Sequence, residues 1–307
     1  MRILLAVSGG IDSMYMANRA SELFPGASFA VAHCNFQLRG EESDGDEAFV
    51  REWAKAKGLP CFVQRFDTKG CAERDGLSIE MAARDLRYAW FEQICREGGF
   101  DAVAVAHNAN DNAETLVLNM LRGTGSKGMR GIAPASVRKG GLTVLRPVLD
   151  RTREEIRSWM EERGLEWRED STNGESIVKR NMVRNEVFPV FRRLNPNFIG
   201  TLNADMRRLA QVDDIAEDYF LECGIEAGCR EIPVGKLLAL KHWQYVLWRL
   251  LEPYGFSQQT FEKLTSLLSK YKDSQRGTVT MSGKTFESPA HILTTSRKKL
   301  IISDQII

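Results

Sequence analysis

Residues Ser8-Gly9-Gly10-Ile11-Asp12-Ser13 follow the apolar run Arg2-Ile3-Leu4-Leu5-Ala6-Val7 and lead into helical periodicity over residues 14–23. A buried strand that runs into a glycine turn at a helix N-terminus offers unpaired backbone N–H groups, and the positive end of the helix dipole, to an approaching anion. Gly9 and Gly10 let the backbone come close to an oxyanion, and the hydroxyls of Ser8 and Ser13 add donors. No lysine follows, so the turn differs from the Gly-Lys-Ser/Thr loop of γ-phosphoryl transfer. The plainer alternative is a capped helix start, which needs only Asp12 or Ser13.

Outward from this turn, β-rich runs at 3–7, 29–34, 61–65 and 102–106 alternate with helical stretches at 14–23, 44–57 and 78–95. Such alternation predicts an α/β fold, a parallel sheet with flanking helices, whose ligands gather at the carboxyl ends of the strands. Three polar strings sit just past those ends: the Ser8 turn, residues 33–42 and residues 107–114. They are candidates for one shared site. Residues 123–128, Gly-Thr-Gly-Ser-Lys-Gly, follow a helical stretch and not a strand, so they read as a flexible surface loop. Residues 142–146 read as a further strand, 153–163 as a helix and 170–175 as turn chemistry. Residues 182–193 and 197–222 form a helical connector. Beyond them come helices at 234–251 and 260–271 and short strands at 278–281, 285–287, 291–295 and 300–303, a smaller α+β domain. The expected division is a catalytic domain over 1–200 and a connector with an accessory domain over 201–307.

The chain has 307 residues, 43% apolar and 27% charged, as in ordinary globular proteins. No apolar run approaches the roughly 20 residues of a membrane helix, and the start lacks a secretory cleavage site, so a cytoplasmic protein without a membrane partner is expected. Six dispersed cysteines without a Cys-x-x-Cys pair read as reduced thiols. The net charge of +1 conceals an uneven distribution. Residues 115–149 contain no acid but carry Arg122, Lys127, Arg130, Arg138, Lys139 and Arg146; a second cluster holds Lys179, Arg180, Arg184, Arg192 and Arg193. Solvated surface is one reading and a polyanion such as RNA the other.

His107, Asp111 and Glu114 recur at spacings of four and three, which on a helix places them along one face. Near a pyrophosphate loop such acids hold Mg²⁺ against phosphate oxygens or draw in an amine, and Asp111 could serve as that amine's base. Arg39 could clamp a phosphate. Arg84, Arg87 and Tyr88 lie three and four apart on a helix, suited to salt bridges or to an ATP or RNA phosphate.

Taken in order, several strings resemble the tRNA(Ile)-lysidine synthetase family, within the N-type ATP pyrophosphatase (PP-loop) superfamily. They are Ser8 to Ser13, Leu38-Arg39-Gly40-Glu41-Glu42-Ser43, Ala83-Arg84 with Leu86-Arg87-Tyr88, the segment from His107 to Thr115, Arg122-Gly123-Thr124-Gly125, Arg146-Pro147-Val148-Leu149, Glu169-Asp170-Ser171-Thr172-Asn173, and Arg180-Asn181 with Arg184. The resemblance covers about the first 200 residues. It implies that ATP adenylates the C2 carbonyl oxygen of the wobble cytidine in a CAU anticodon, and that the side-chain amine of free L-lysine then displaces AMP. Under it, Ser8, Gly9, Gly10, Ile11, Asp12 and Ser13 bind ATP, Asp12 and Asp111 hold Mg²⁺, and His107, Asp111, Glu114 and Arg180 are catalytic. The partners implied are tRNA(Ile) and lysine; a homodimer is left open. Asn108 stands where the family often has a second histidine, and Gly128-Met129-Arg130-Gly131-Ile132 is a loose version of the family's Gly-Leu-x-Gly-Met. Against the family pattern the chain, beginning in a strand, reads as a shortened form. The rivals are a tRNA thiolase, for which Cys34 is the only suspicious thiol, and a nucleotide-sensing RNA-binding module without turnover.

Overall fold

The computed structural model describes residues 1–169, 179–274 and 281–305. The turn expected over 170–175 and most of the strand expected over 278–281 lie outside the described residues. The chain divides into two compact units, Met1–Ala210 and Gln211–Ile307.

The first unit runs β1 (Arg2–Ala6), α1 (Ile11–Asn18), α2 (Ala20–Leu23), β2 (Ser28–Asn35), α3 (Glu41–Ala56), β3 (Cys61–Arg65), α4 (Thr68–Asp75), α5 (Ile79–Gly98), β4 (Ala102–Ala104), α6 (Ala109–Arg122), α7 (Ser126–Met129), β5 (Ala135–Val137), β6 (Thr143–Leu145) and α8 (Arg153–Glu162). After the undescribed segment come α9 (Lys179–Met182), a π-helical turn (Val183–Val187), α10 (Phe188–Leu194) and α11 (Phe198–Glu222), within which the division between units falls. The sheet order is β3-β2-β1-β4-β6-β5, parallel except for the β5–β6 pair. From β1 the chain winds one way through β2 and β3 and the other way through β4 and β6. The crevice beyond the carboxyl ends of β1 and β4 is therefore the topological switch point, where ligands of such sheets bind.

Side chains alternate across β1. Ile3 and Leu5 pack with Met14, Val50, Ile156 and Met160 on one face, while Leu4 packs with Tyr88, Phe91 and Val103 on the other. Helices thus cover both faces, and each fully buried Leu or Ile contributes roughly 1.5–3 kcal/mol. This is the α/β architecture the alternation predicts.

The second unit holds β7 (Glu231–Pro233), α12 (Val234–Ala239), α13 (Trp243–Leu251), α14 (Gln258–Asp273), β8 (Thr285–Glu287), β9 (His291–Thr295) and β10 (Lys299–Asp304). Its antiparallel sheet, ordered β7-β10-β9-β8, shares a core with α12, α13 and α14 through Ile232, Leu237, Leu247, Leu264 and Leu300.

Several boundaries differ from the periodicity. The helix expected over 234–251 is two, broken after Ala239; the apolar positions Leu237, Leu238, Trp243 and Val246 continue across the break because both pieces face one core. The glycine-rich stretch after α6 is not all loop, since Ser126–Met129 make a helical turn. The helix expected over 182–193 is interrupted by the π turn. Strands β5 and β7 are three residues each, too short to show a period. Among the described residues no helix is long and apolar enough to cross a membrane.

Candidate active site

The turn after β1 is closed by its own side chains. Gly9 has φ of 96°, a conformation that strains any side-chain-bearing residue, and its carbonyl accepts from Arg168 N at 2.9 Å. Ser13 Oγ donates to Gly10 O at 2.8 Å and accepts from Ser8 N at 3.2 Å; Ser8 Oγ lies 3.1 Å from Ser13 Oγ and accepts from Gly10 N at 3.3 Å. Both hydroxyls are therefore committed inside the turn rather than offered outward, which corrects the expectation that they serve as extra donors. Neither Asp12 nor Ser13 caps α1: Gly10 holds the cap position with no side-chain bond. The N–H groups of Ile11, Asp12 and Ser13 precede the first intrahelical bond, Met14 N to Gly10 O at 3.0 Å, and form a helix end suited to an anion.

Across the switch point, Asn108 caps α6. Its Oδ1 accepts from Asn110 N and Asp111 N at 2.9 and 3.0 Å, while Asp111 Oδ2 accepts from Asn108 N at 3.1 Å, a reciprocal capping box. The Asn108 amide then donates to Asp12 Oδ1 at 2.9 Å. The residue read only as a missing histidine thus ties the start of α6 to the Ser8 turn. Burial lifts the Asp12 carboxyl above its usual range; Arg153 opposes that rise and Asp111 adds to it.

His107 precedes the cap and is not on α6, so the one-face reading holds only for Asp111 and Glu114. Glu114 is fully buried and grips Arg184 through two bonds, Nε to Oε1 at 2.7 Å and Nη2 to Oε2 at 3.1 Å, with Arg180 Nε 3.5 Å from Oε2. Arg184 comes from the π turn, an irregularity frequent at functional sites. Burial raises the Glu114 carboxyl and Arg184 only partly offsets it. Burial alone would lower the Arg184 guanidinium, but Glu114, Asp111 and Asp12 outweigh it.

Among the described residues no group of three or more His, Cys, Asp or Glu side chains could hold a metal unaided. Asp12 and Asp111 fit a different arrangement. Among the described residues, Asp12 Oδ2 and Asp111 Oδ1 meet loose ion pairs, with Arg153 and Arg184, both at 3.7 Å. Mg²⁺ is commonly held by one or two carboxylates, with substrate phosphates and waters completing the shell.

A cleft of about 520 Å³ opens at the turn. Besides Ser8, Gly10, Ile11, Asp12, Ser13 and Arg184, it is lined by Arg39, Asp46, Arg153, Arg157, Trp167, Arg168 and Glu169. Its five arginines against three acids suit a polyphosphate. Arg39 is paired with Asp46 at 2.8 Å, as is Arg168 at 3.1 Å. Arg153, Trp167 and Arg168 were not legible in sequence: Arg153 opens a helix rich in charge, and the other two belong to a segment without periodicity.

His107 accepts from Arg146 Nε at Nδ1, 3.2 Å away. Burial, with Arg146, Arg180 and Arg84 nearby, pulls its pKa down from 6.5 to about 4 despite Asp111. The folded state then binds fewer protons at this site than the unfolded one between these values, so the contribution of His107 to stability is full above pH 6.5 and is lost as pH falls toward about 4. His107→Gln is expected to flatten that dependence, read as urea midpoints at pH 7 and pH 5; equal slopes in both proteins would refute it.

The family model described as a PP-loop domain matches residues 1–191, and the TilS substrate binding domain matches residues 226–305. The tRNA(Ile)-lysidine synthase of Chlorobaculum tepidum is 36% identical over 306 residues, covering 94% of this chain and 88% of that protein. The chain belongs to the tRNA(Ile)-lysidine synthase family. Another tRNA(Ile)-lysidine synthase, from Parabacteroides distasonis, is 36% identical over 304 residues, 98% of this chain. The chain spans 65% of the length of that relative and 63% of one from Porphyromonas gingivalis. A solved U34-tRNA thiolase, NcsA of Methanococcus maripaludis, superposes with a TM-score of 0.57 at 16% identity, over 69% of this chain and 73% of its own, and shares the fold. In this lysidine synthase family member all six cysteines are free, and burial pushes the Cys34 thiol up to about 12, far from the thiolate that sulfur chemistry needs.

Proposed function

We propose that this protein ligates free lysine to C2 of the wobble cytidine in the CAU anticodon of tRNA(Ile), consuming ATP and releasing AMP and pyrophosphate. The observation that carries this reading is the Asn108 bridge, which places the Ser8 turn and the α6 acids at one switch point in a chain of the lysidine synthase family. The cytidine C2 carbonyl oxygen attacks the α-phosphorus and pyrophosphate departs. The N–H groups of Ile11, Asp12 and Ser13 hold that leaving group, with Arg153 and Arg168 on the cleft wall. Mg²⁺, held by Asp12 and Asp111, would supply charge neutralisation at the phosphates. The lysine side-chain amine, with a reference pKa of about 10.4, then attacks C2 after losing a proton, and AMP leaves. Asp111 binds the ammonium and accepts that proton. Glu114 acts one step away: buried and held by Arg184 and Arg180, it fixes the arginine wall facing the acids. His107, neutral at pH 7, orients Arg146.

Incubating a CAU-anticodon transcript with ATP, Mg²⁺ and each amino acid in turn tests the reading by mass analysis. The expected product gains one lysine less one water, with lysine alone among the amino acids, and ATP–pyrophosphate exchange requires the tRNA. An unchanged transcript without exchange would favour a binding module; a gain of sulfur from a sulfur donor would favour a thiolase.

A further inference from the structure

Away from the cleft, three arginines converge on one buried tyrosine. Tyr88, on α5, is 3% exposed; the guanidinium of Arg138, just after β5, lies 4.1 Å from its ring centre and that of Arg84, on α5, 5.2 Å. Arg146, just after β6, is within electrostatic reach of Tyr88, Arg84 and Arg138. It is fixed by neutral acceptors, with Nη1 donating to Ala133 O at 2.8 Å and to Ser136 Oγ at 3.1 Å, and Nε to His107 Nδ1 at 3.2 Å. Among the described residues none of the three pairs with a carboxylate, whereas most other arginines of this unit do. None of the three lines the cleft at the Ser8 turn.

Three permanently charged groups gathered around one ring without a carboxylate among the described residues repel one another: burial lowers the Arg146 guanidinium, and Arg84 and Arg138 add to that lowering. Stacking on Tyr88 offsets only part of that repulsion. A bound oxyanion would reverse the sign of the whole cluster, and the planar guanidinium fork matches phosphate oxygens. Arg138 and Arg146 also lie in the acid-free stretch 115–149, and through His107 the cluster adjoins Asp111.

We propose that Arg84, Arg138 and Arg146 form a second oxyanion site that takes a backbone phosphate of the RNA strand next to the reacting nucleotide. This rests on the function proposed above. It assigns the cluster to RNA rather than to the phosphates of ATP, which have their own cleft.

The full chain carrying Arg84→Ala and Arg138→Ala together tests this, with Arg146 left in place because it holds His107. Binding to a CAU anticodon stem-loop is read by fluorescence anisotropy over a salt series, and ATP binding by calorimetry. The expected result is roughly tenfold weaker RNA binding at fixed salt and a log–log salt slope shallower by about 0.7, the value for one single-strand phosphate, with ATP affinity unchanged. The double lysine variant, which keeps the charge but not the planar fork, should recover the salt slope and part of the affinity. Unchanged RNA affinity and slope would overturn the proposal, as would weaker ATP binding with RNA binding intact. Equal losses in the alanine and lysine variants with a lowered melting temperature would also overturn it, by showing a packing role. If the unaltered protein neither binds nor modifies the RNA, the proposed function itself falls; if it modifies the RNA while the alanine variant binds as tightly, only this site falls.

Discussion

Asp111→Asn is expected to reduce lysine incorporation by about 10²- to 10⁴-fold, the range attributable to a positioned base, while tRNA binding stays near that of the unaltered protein. Asparagine keeps an oxygen to accept from Asn108 N, so the capping box and the start of α6 survive and the change removes mainly the charge. Without that charge the ammonium of lysine has neither a counterion nor a proton acceptor beside it. Pyrophosphate release in the absence of lysine separates the two roles proposed for this carboxylate. If release persists while incorporation is lost, Asp111 serves the amine; if both are lost, it serves the metal. Undiminished incorporation would remove Asp111 from the mechanism.

The second large effect concerns stability. Among the described residues, Arg184→Ala leaves Glu114, with no exposed side-chain surface, facing Arg180 alone among cations, at 3.5 Å, and stripping a buried carboxylate of its main partner costs roughly 3–5 kcal/mol. Because burial already raises the Glu114 carboxyl, the sign of the pH effect follows. A group whose folded pKa lies above its unfolded value stabilises the fold most below the unfolded value and loses that contribution as pH rises through the folded one. The variant, whose Glu114 would be raised further, should be hurt less at pH 5 than at pH 8. Adding Glu114→Gln should restore part of the loss, since a neutral amide needs no counter-charge. Urea midpoints at both pH values check this; equal losses at both, with no recovery in the double variant, would show that the pair is not the source.

The sheet was legible because β1, β2 and β3 are apolar-rich runs punctuated by turns, and the position of the Ser8 turn because two glycines separate a strand-like run from helical periodicity. What periodicity could not convey was which polar atoms meet across the switch point. Asn108 is 96 residues from Asp12, and the bond between them is invisible until β1 and β4 lie side by side. The π turn escaped notice because apolar residues at 182, 183, 187, 188, 190 and 191 fit an ordinary helical period as well, and Arg184, which pairs with Glu114, lies within it. The two serine hydroxyls were read correctly in place but not in direction: a tight turn satisfies its own donors first. For Arg84 and Arg87 the expected partners were acids or a phosphate; among the described residues neither meets an acid, and they stack on Tyr88 and Phe36.

The central claim is that the N–H groups opening α1 grip the two phosphates that depart as AMP passes to the RNA base. A crystal structure with a non-hydrolysable ATP analogue tests it most directly. The β- and γ-phosphates are expected against the N–H groups of Ile11, Asp12 and Ser13, within the cleft walled by Arg153 and Arg168; an ordered triphosphate bound elsewhere, with this turn unchanged and empty, would contradict it.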